Sequence, residues 1–188
     1  MSSYIKKLVI NNQGGVNYVC WSPDGTKLAS ASDDKMVRVW DSHTGSQVVE
    51  LQGHSLHVVC VNWSPDGTKL ASSSNDTTIR VWDANTGSQI FKLKDPSLRV
   101  SCVSWSPDGT KLASATGDWY VRVWNAHTGS LLAQLQGHSS LVNYVNWSPD
   151  GTKLASASSD NTVRVWDVRT GSFQKELLGH SDWVICVN

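Results

Sequence analysis

A charge excess of either sign is missing from this sequence. Lys and Arg together number 16, as do Asp and Glu, and the formal net charge is +0 at pH 7. A chain built to meet phosphates, on nucleic acid or on a membrane surface, needs a basic excess. Neither partner is therefore expected. Long apolar runs are missing too. None approaches the ~18 residues of a membrane-spanning helix, and the opening Met1–Ile10 holds too short an apolar stretch for a secretory leader. Cysteine is sparse: Cys20, Cys60, Cys102 and Cys186 contain no Cys-x-x-Cys pair, which removes the zinc-knuckle and redox-pair readings. Cys60, Cys102 and Cys186 recur at one place in successive apolar stretches. They are expected to be small buried hydrophobes in a reducing compartment, so the expected location is intracellular and cytoplasmic. No glycine-rich phosphate loop is present, since Gly14-Gly15 opens no helix.

Tryptophan, in contrast, is abundant, with ten residues in 188. The string Trp-Ser-Pro-Asp-Gly-Thr-Lys-Leu-Ala-Ser begins at Trp21, Trp63, Trp105 and Trp147, each 42 residues after the last. A second series, Trp40, Trp82, Trp124 and Trp166, keeps the same step. Only Trp119 and Trp183 stand outside the two series. A fixed period of this length marks a repeat architecture. Within one unit, Val58–Trp63 is apolar and β-branched, which suits a buried strand. Ser64-Pro-Asp-Gly67 has the residues of a tight reversal. Lys69–Ser74, Thr78–Asp83 and Gln89–Leu93 read as three further strands, and no segment keeps a helical period. Four strands per ~40–45 residues is the spacing of a propeller blade.

Gly53-His54 followed by Val81-Trp82-Asp83, and Gly137-His138 followed by Trp166-Asp167, resemble the Gly-His…Trp-Asp signature of the WD40-repeat β-propeller family. The resemblance extends over 1–188. It implies an all-β propeller with four complete blades at about 16–52, 58–94, 100–136 and 142–178. Segments 5–10 and 183–188 would supply a lone outer strand and a lone inner strand. The chain would then be part of a larger ring, or would associate with copies of itself. The resemblance also implies buried hydrogen-bond tetrads, at His54, Ser72, Asp76 and Trp82 and at His138, Ser156, Asp160 and Trp166. His180 falls at the same place as His54 and His138. The first repeat has Asn12 at the His position, and the third has Asp95-Pro96 in place of Gly-His. Those two blades are expected to be locally weaker, or to satisfy their buried groups with water.

By the same resemblance, the invariant Ser-Pro-Asp-Gly and Thr-Gly-Ser turns share the bottom face. The segment entering each first strand and the turn between second and third strands share the top, and there the repeats differ freely. Candidate partner-binding residues are Leu56, His57, Asn75, Thr77, Leu98, Arg99, Trp119, Tyr120, Leu141, Asn161, Asp182 and Trp183. Aromatics and Arg carry most interface energy, so Trp119, Tyr120, Arg99 and Trp183 are the expected anchors. Asp24, Asp66, Asp108 and Asp150 are turn formers in four different units, and no acid–base set converges. The chain is accordingly read as a non-catalytic scaffold for a protein or peptide, with no cofactor and no metal. Two other readings stay open. Near-identical repeats that vary on one face also resemble the sensor arrays of NACHT-type signalling ATPases, and some propellers are enzymes.

Overall fold

The computed structural model describes residues 14–188. Its strands fall into four sheets. The first holds β1 (Val16–Trp21), β2 (Lys27–Ser32), β3 (Val37–Asp41) and β4 (Gln47–Leu51). The second holds β5 (Val58–Trp63), β6 (Lys69–Ser74), β7 (Thr78–Asp83) and β8 (Gln89–Lys94). β9 (Val100–Trp105), β10 (Lys111–Thr116), β11 (Val121–Asn125) and β12 (Leu131–Leu135) make the third. β13 (Val142–Trp147), β14 (Lys153–Ser158), β15 (Val163–Asp167) and β16 (Phe173–Leu177) make the fourth. In each sheet the strands lie in chain order, with antiparallel pairing throughout. This is the all-β blade architecture expected from the repeats. Three successive reversals put the first and third turns of a blade at one end, the bottom. The middle turn and the entry to the first strand lie at the other end, the top.

The bottom turns are closed by their own side chains. The Asp24 carboxylate accepts from the Ser22 hydroxyl at 2.6 Å and the Thr26 amide at 3.0 Å. These bonds, Ser22 first, hold Asp24 at about 2. The same set recurs at Asp66, Asp108 and Asp150. A carboxylate so engaged is a turn lock rather than a proton carrier.

Blades pack face to face through one recurring contact. Val58, Val61 and Trp63 of the second blade bury against Ala29, Ala31, Val37, Val39 and Leu51 of the first. The third and fourth blades repeat it with Val100, Val103 and Trp105 and with Val142, Val145 and Trp147. The indole N–H of Trp105 donates to the Asn62 carbonyl, and that of Trp147 to the Ser104 carbonyl, both at 3.2 Å. The equivalent residues of the first blade, Val16, Val19 and Trp21, are 49%, 55% and 61% exposed. No blade stands before them among the described residues.

Segment 5–10, expected as an outer strand, lies outside the described residues, as does Asn12. Segment 183–188 is a correction. It is not a strand and pairs with none of the sixteen strands among the described residues. Val184 still takes the place of a first-strand residue: its amide donates to the Ser158 carbonyl at 3.0 Å, and its side chain packs with Ala157 and Val163. Cys60 and Cys102 are buried, but Cys186, expected to be buried, is exposed. His180 is also exposed and joins no tetrad.

Candidate functional site

The first strand of every blade carries a β-bulge. Register slips between Val16 and Tyr18, Val58 and Cys60, and Val142 and Tyr144, and the third blade slips opposite Ala115 and Thr116. The extra residue is Asn17, Val59, Ser101 or Asn143. A bulge re-aims a side chain, and here all four are aimed at one place. Together with Asp33, His57, Asn75, Arg99 and Ile185 they line a depression of about 370 Å³ at the top end. Residues at one 42-residue step thus meet around a common axis, with the first strands innermost. One residue further down the strands, Tyr18 and Tyr144 hydroxyls meet at 2.6 Å. Cys60 and Cys102 thiols lie 3.7 Å apart at the equivalent places.

Of the candidate residues, His57, Asn75 and Arg99 line this depression. Leu56, Leu98, Trp119 and Trp183 are 48%, 86%, 53% and 67% exposed on the same end. Asp182 is exposed, and its carboxylate accepts from the Trp183 amide. Thr77, Leu141 and Asn161 are half-buried, and the Leu141 carbonyl accepts from Ser158 and Ser159. Tyr120 is half-buried as well, with its ring 5.3 Å from the Arg122 guanidinium carbon. Asn17, Asp33, Val59, Ser101, Asn143 and Ile185 were not anticipated. Their repeat spacing could have found them, but nothing in residue type announces a bulge.

Charge in the depression is partly settled internally. Asp33 accepts from Asn17 Nδ2 at 2.8 Å and faces His57 Nδ1 at 3.3 Å. The Arg99 guanidinium has no hydrogen-bond or ion-pair partner among the described residues. The Ser101 hydroxyl, buried at its oxygen, has none either.

The two ends also differ in backbone conformation. Positive φ recurs in the bottom turns at Gly25, Gly67, Gly109 and Gly151 and at Gly45, Gly87, Gly129 and Gly171. It recurs in the top turns at Lys35, Thr77, Trp119 and Asn161, with φ of 74°, 66°, 75° and 68°. The left-handed region costs a residue with a Cβ about 1–2 kcal/mol, and a β-branched or bulky one is a genuine outlier there.

Beneath these turns lie the buried polar networks. In the second blade Trp82 Nε1 donates to Ser72 Oγ at 2.8 Å, Ser72 Oγ lies 2.8 Å from His54 Nε2, and His54 Nδ1 lies 2.9 Å from Asp76 Oδ2. The fourth blade matches it through Trp166, Ser156, His138 and Asp160. Burial pushes both imidazoles below their ordinary value against the pull of the aspartates. A neutral ring then donates from Nδ1 and accepts at Nε2. Burial raises Asp160, but bonds from Thr162, His138 and Ser139 outweigh it and hold the carboxyl at about 2.

The first and third blades engage the turn aspartate in another way. In the third, Asp95 occupies the place of Gly53. A Cβ built on Gly53 would fall nearest Arg80 Nη1, so a carboxylate at that place finds a guanidinium. Arg122 Nη1 donates to Asp95 Oδ1 at 2.9 Å and to Asp118 Oδ1 at 3.1 Å. In the first, Arg38 Nη1 donates to Asp34 Oδ2 at 2.7 Å and its Nε to Glu50 at 2.8 Å. Where His is missing, the third-strand Arg takes the turn aspartate. Where His is present, Arg80 and Arg164 turn instead to Gln89 and Glu176.

Comparison with known proteins gives one family match over nearly the whole chain. The family described as the Echinoderm microtubule-associated protein second beta-propeller matches residues 11–184. Shorter stretches match individual proteins. A Notchless protein homolog from Arabidopsis thaliana is 46% identical over 54 residues, 29% of this chain and 11% of that protein. WD repeat-containing protein 86 from Homo sapiens is 35% identical over 52 residues, 28% of this chain and 14% of that protein. Apoptotic protease-activating factor 1 from Danio rerio is 43% identical over 49 residues, 26% of this chain and 4% of that protein. The matched stretches span only a small part of these relatives.

Proposed function

Since the chain belongs to the WD40-repeat β-propeller family, we propose that it is a non-catalytic scaffold that binds a protein or peptide on its top face. One observation carries this reading. Side chains from all four blades converge on a single depression, with Val59 and Ser101 standing where the first and fourth blades have Asn17 and Asn143, while the Ser-Pro-Asp-Gly turns at the bottom are invariant. Specificity needs unlike groups around one site, whereas a purely structural ring needs only like ones. The anchors are Trp119, Arg99 and Trp183, with Leu56, Leu98 and His57 beside them. Tyr120, packed on Arg122, contributes from a fixed position. Leu141, Asn75, Thr77, Asn161 and Asp182 complete the surface. Balanced charge argues against nucleic acid and membrane as partners.

The test is affinity capture of a partner, followed by calorimetry with the purified partner. Trp119→Ala is expected to weaken binding by ~2 kcal/mol or more without unfolding the chain. Lys69→Ala and Thr128→Ala, at the bottom end, should leave it unchanged. Loss at the bottom variants with full binding by Trp119→Ala overturns the face assignment. A second reading, a recognition array of a larger NACHT-type ATPase, is favoured by the unchanged recurrence of Trp-Ser-Pro-Asp-Gly-Thr-Lys-Leu-Ala-Ser at a fixed 42-residue step beside a varying top face. A nucleotide-binding domain encoded in the same reading frame would decide for it.

A further inference from the structure

In a repeat array each unit touches its neighbours, so the shape of the whole is the sum of its steps. Hydrogen bonds between consecutive blades help to set each step here. Asn17 Nδ2 donates to the Val58 carbonyl at 2.9 Å, and Asn62 Nδ2 to the Val103 carbonyl at 2.7 Å. Small errors at three such steps add up in the place of the fourth blade relative to the first. One contact passes over both middle blades. Tyr18 of β1 and Tyr144 of β13 are 126 residues apart in the chain, yet their hydroxyl oxygens lie 2.6 Å apart and their ring centroids 6.3 Å apart. Tyr18 also packs against two cores, one shared by the first two blades and one built mainly from the last two. At the same place the second and third blades carry Cys60 and Cys102. Their short side chains leave the axis clear for two phenol rings to meet. Burial pushes the Tyr18 phenol up to about 12 and raises Tyr144 as well, so both hydroxyls stay protonated at neutral pH.

We infer that Tyr18 and Tyr144 are positioning residues for the top depression: their contact across the axis ties the first blade to the fourth and sets the spacing between the walls those blades supply. The residue before each tyrosine is a bulge residue, Asn17 or Asn143, and both line the depression. Asn17 forms its wall with Asp33, to which it donates at 2.8 Å. Asn143 donates to Ser159 Oγ at 3.0 Å and to the Val184 carbonyl at 2.9 Å, beside Ile185 of the same lining. A shift of either tyrosine therefore carries a wall with it. A binding site loosens when its groups move by ~1 Å. The tyrosine pair opposes that movement directly, where the successive interfaces oppose it only step by step. The inference rests on the top-face reading for its use in binding, and adds what fixes the width of the site.

The experiment measures distances between spin labels by double electron–electron resonance. Lys35→Cys with Ser139→Cys reports on the first and fourth blades, and Lys35→Cys with Ser55→Cys on the first and second; all three positions are exposed. Cys20→Ser and Cys186→Ser keep the label off the less buried native thiols, while Cys60 and Cys102 are buried. In Tyr144→Ala the 35–139 distance is expected to lengthen by about 1 Å or more and its distribution to broaden, with the 35–55 distance unchanged. Tyr144→Phe keeps the ring in the core and removes only the hydroxyl contact. It should show the same change at smaller size, and it decides the case if Tyr144→Ala does not fold. Wild-type 35–139 distances in the folded variants overturn the inference. Equal broadening of the 35–55 distance also overturns it, since that is general loosening. The binding readout uses peptides enriched on the wild type from a random phage library and lost on Trp119→Ala. Their affinity should fall about tenfold in Tyr144→Ala, and an unchanged affinity beside widened distances overturns the positioning role. A library that yields no peptide sensitive to Trp119 refutes the top-face reading and leaves the distances to decide whether the pair sets the spacing.

Discussion

Arg122→Met tests whether the Asp95–Arg122 pair replaces the tetrad of the third blade. Asp95 has a fully buried side chain and that of Arg122 is 2% exposed. With the guanidinium gone, Asp95 keeps one amide, from Ser97 at 2.9 Å, and its second oxygen has no partner. Burial already pushes its carboxyl above the ordinary value while Ser97 and Arg122 pull it down. A carboxylate so placed takes up a proton rather than stay charged. Protonating a group of ordinary pKa ~3.9 at pH 7 costs at most about 4 kcal/mol, and breaking buried pairs typically costs ~3–5 kcal/mol. Arg80→Met in the second blade forfeits only a bond to Gln89 and a contact 5.9 Å from the Trp82 ring, about 1 kcal/mol or less. Urea unfolding followed by tryptophan fluorescence should show this contrast as a midpoint shift at unchanged slope. In Arg122→Met the folded pKa of Asp95 lies above its unfolded value, so the folded state binds the proton more tightly. The loss is therefore full at pH 7 and shrinks by ~1.4 kcal/mol per unit as pH falls toward the unfolded value. Equal losses for the two arginines, or a loss at pH 5 as large as at pH 7, would refute the charge argument and leave only lost packing.

Ser72→Ala removes the acceptor of Trp82 and the donor of His54, whereas Ser114→Ala strips Trp124, the one side-chain partner of its hydroxyl among the described residues, at 2.9 Å. Ser72→Ala is expected to cost about 1–3 kcal/mol more by the same unfolding measurement, and equal costs would show that His54 contributes nothing through Ser72. His54 and His138 have folded pKa values below the unfolded ~6.5, so the unfolded state takes up protons first on acidification. Stability should thus fall as pH drops below ~6.5, and the drop should flatten in a His54→Gln, His138→Gln double variant. An unchanged pH profile in that variant would move the dependence elsewhere.

The strands and the repeat were legible because two Trp series and four Ser-Pro-Asp-Gly turns state the period outright. The tetrads were legible at Gly53-His54 and Gly137-His138, but Gly179-His180 carries the same dipeptide and forms none among the described residues. The rest depended on geometry that residue types do not reveal. The pairing of Asp95 with Arg122 joins residues 27 apart, and only the missing Cβ of Gly53 explains why they meet. Bulges fall at Asn17, Val59, Ser101 and Asn143, with no one residue type common to all four. Positive φ is announced by glycine at the bottom but concealed at the top by Lys35, Thr77 and Trp119. Cys186 matched buried Cys60 in sequence, yet burial belongs to the neighbouring strand, not to the cysteine.

The uniform contact between blades has a consequence for how this array can change. The second, third and fourth blades offer Val-Val-Trp faces to closely similar small apolar faces of the blade before, so the interfaces carry little information about which blade stands next to which. Order is imposed chiefly by the covalent chain. Moving a 42-residue cassette from one place to another therefore exchanges the top-face side chains while leaving the packing energy nearly constant. Ligand preference and stability are separately inherited traits of the cassette: a new recognition surface can be assembled by shuffling whole units, without a single new core contact having to be found.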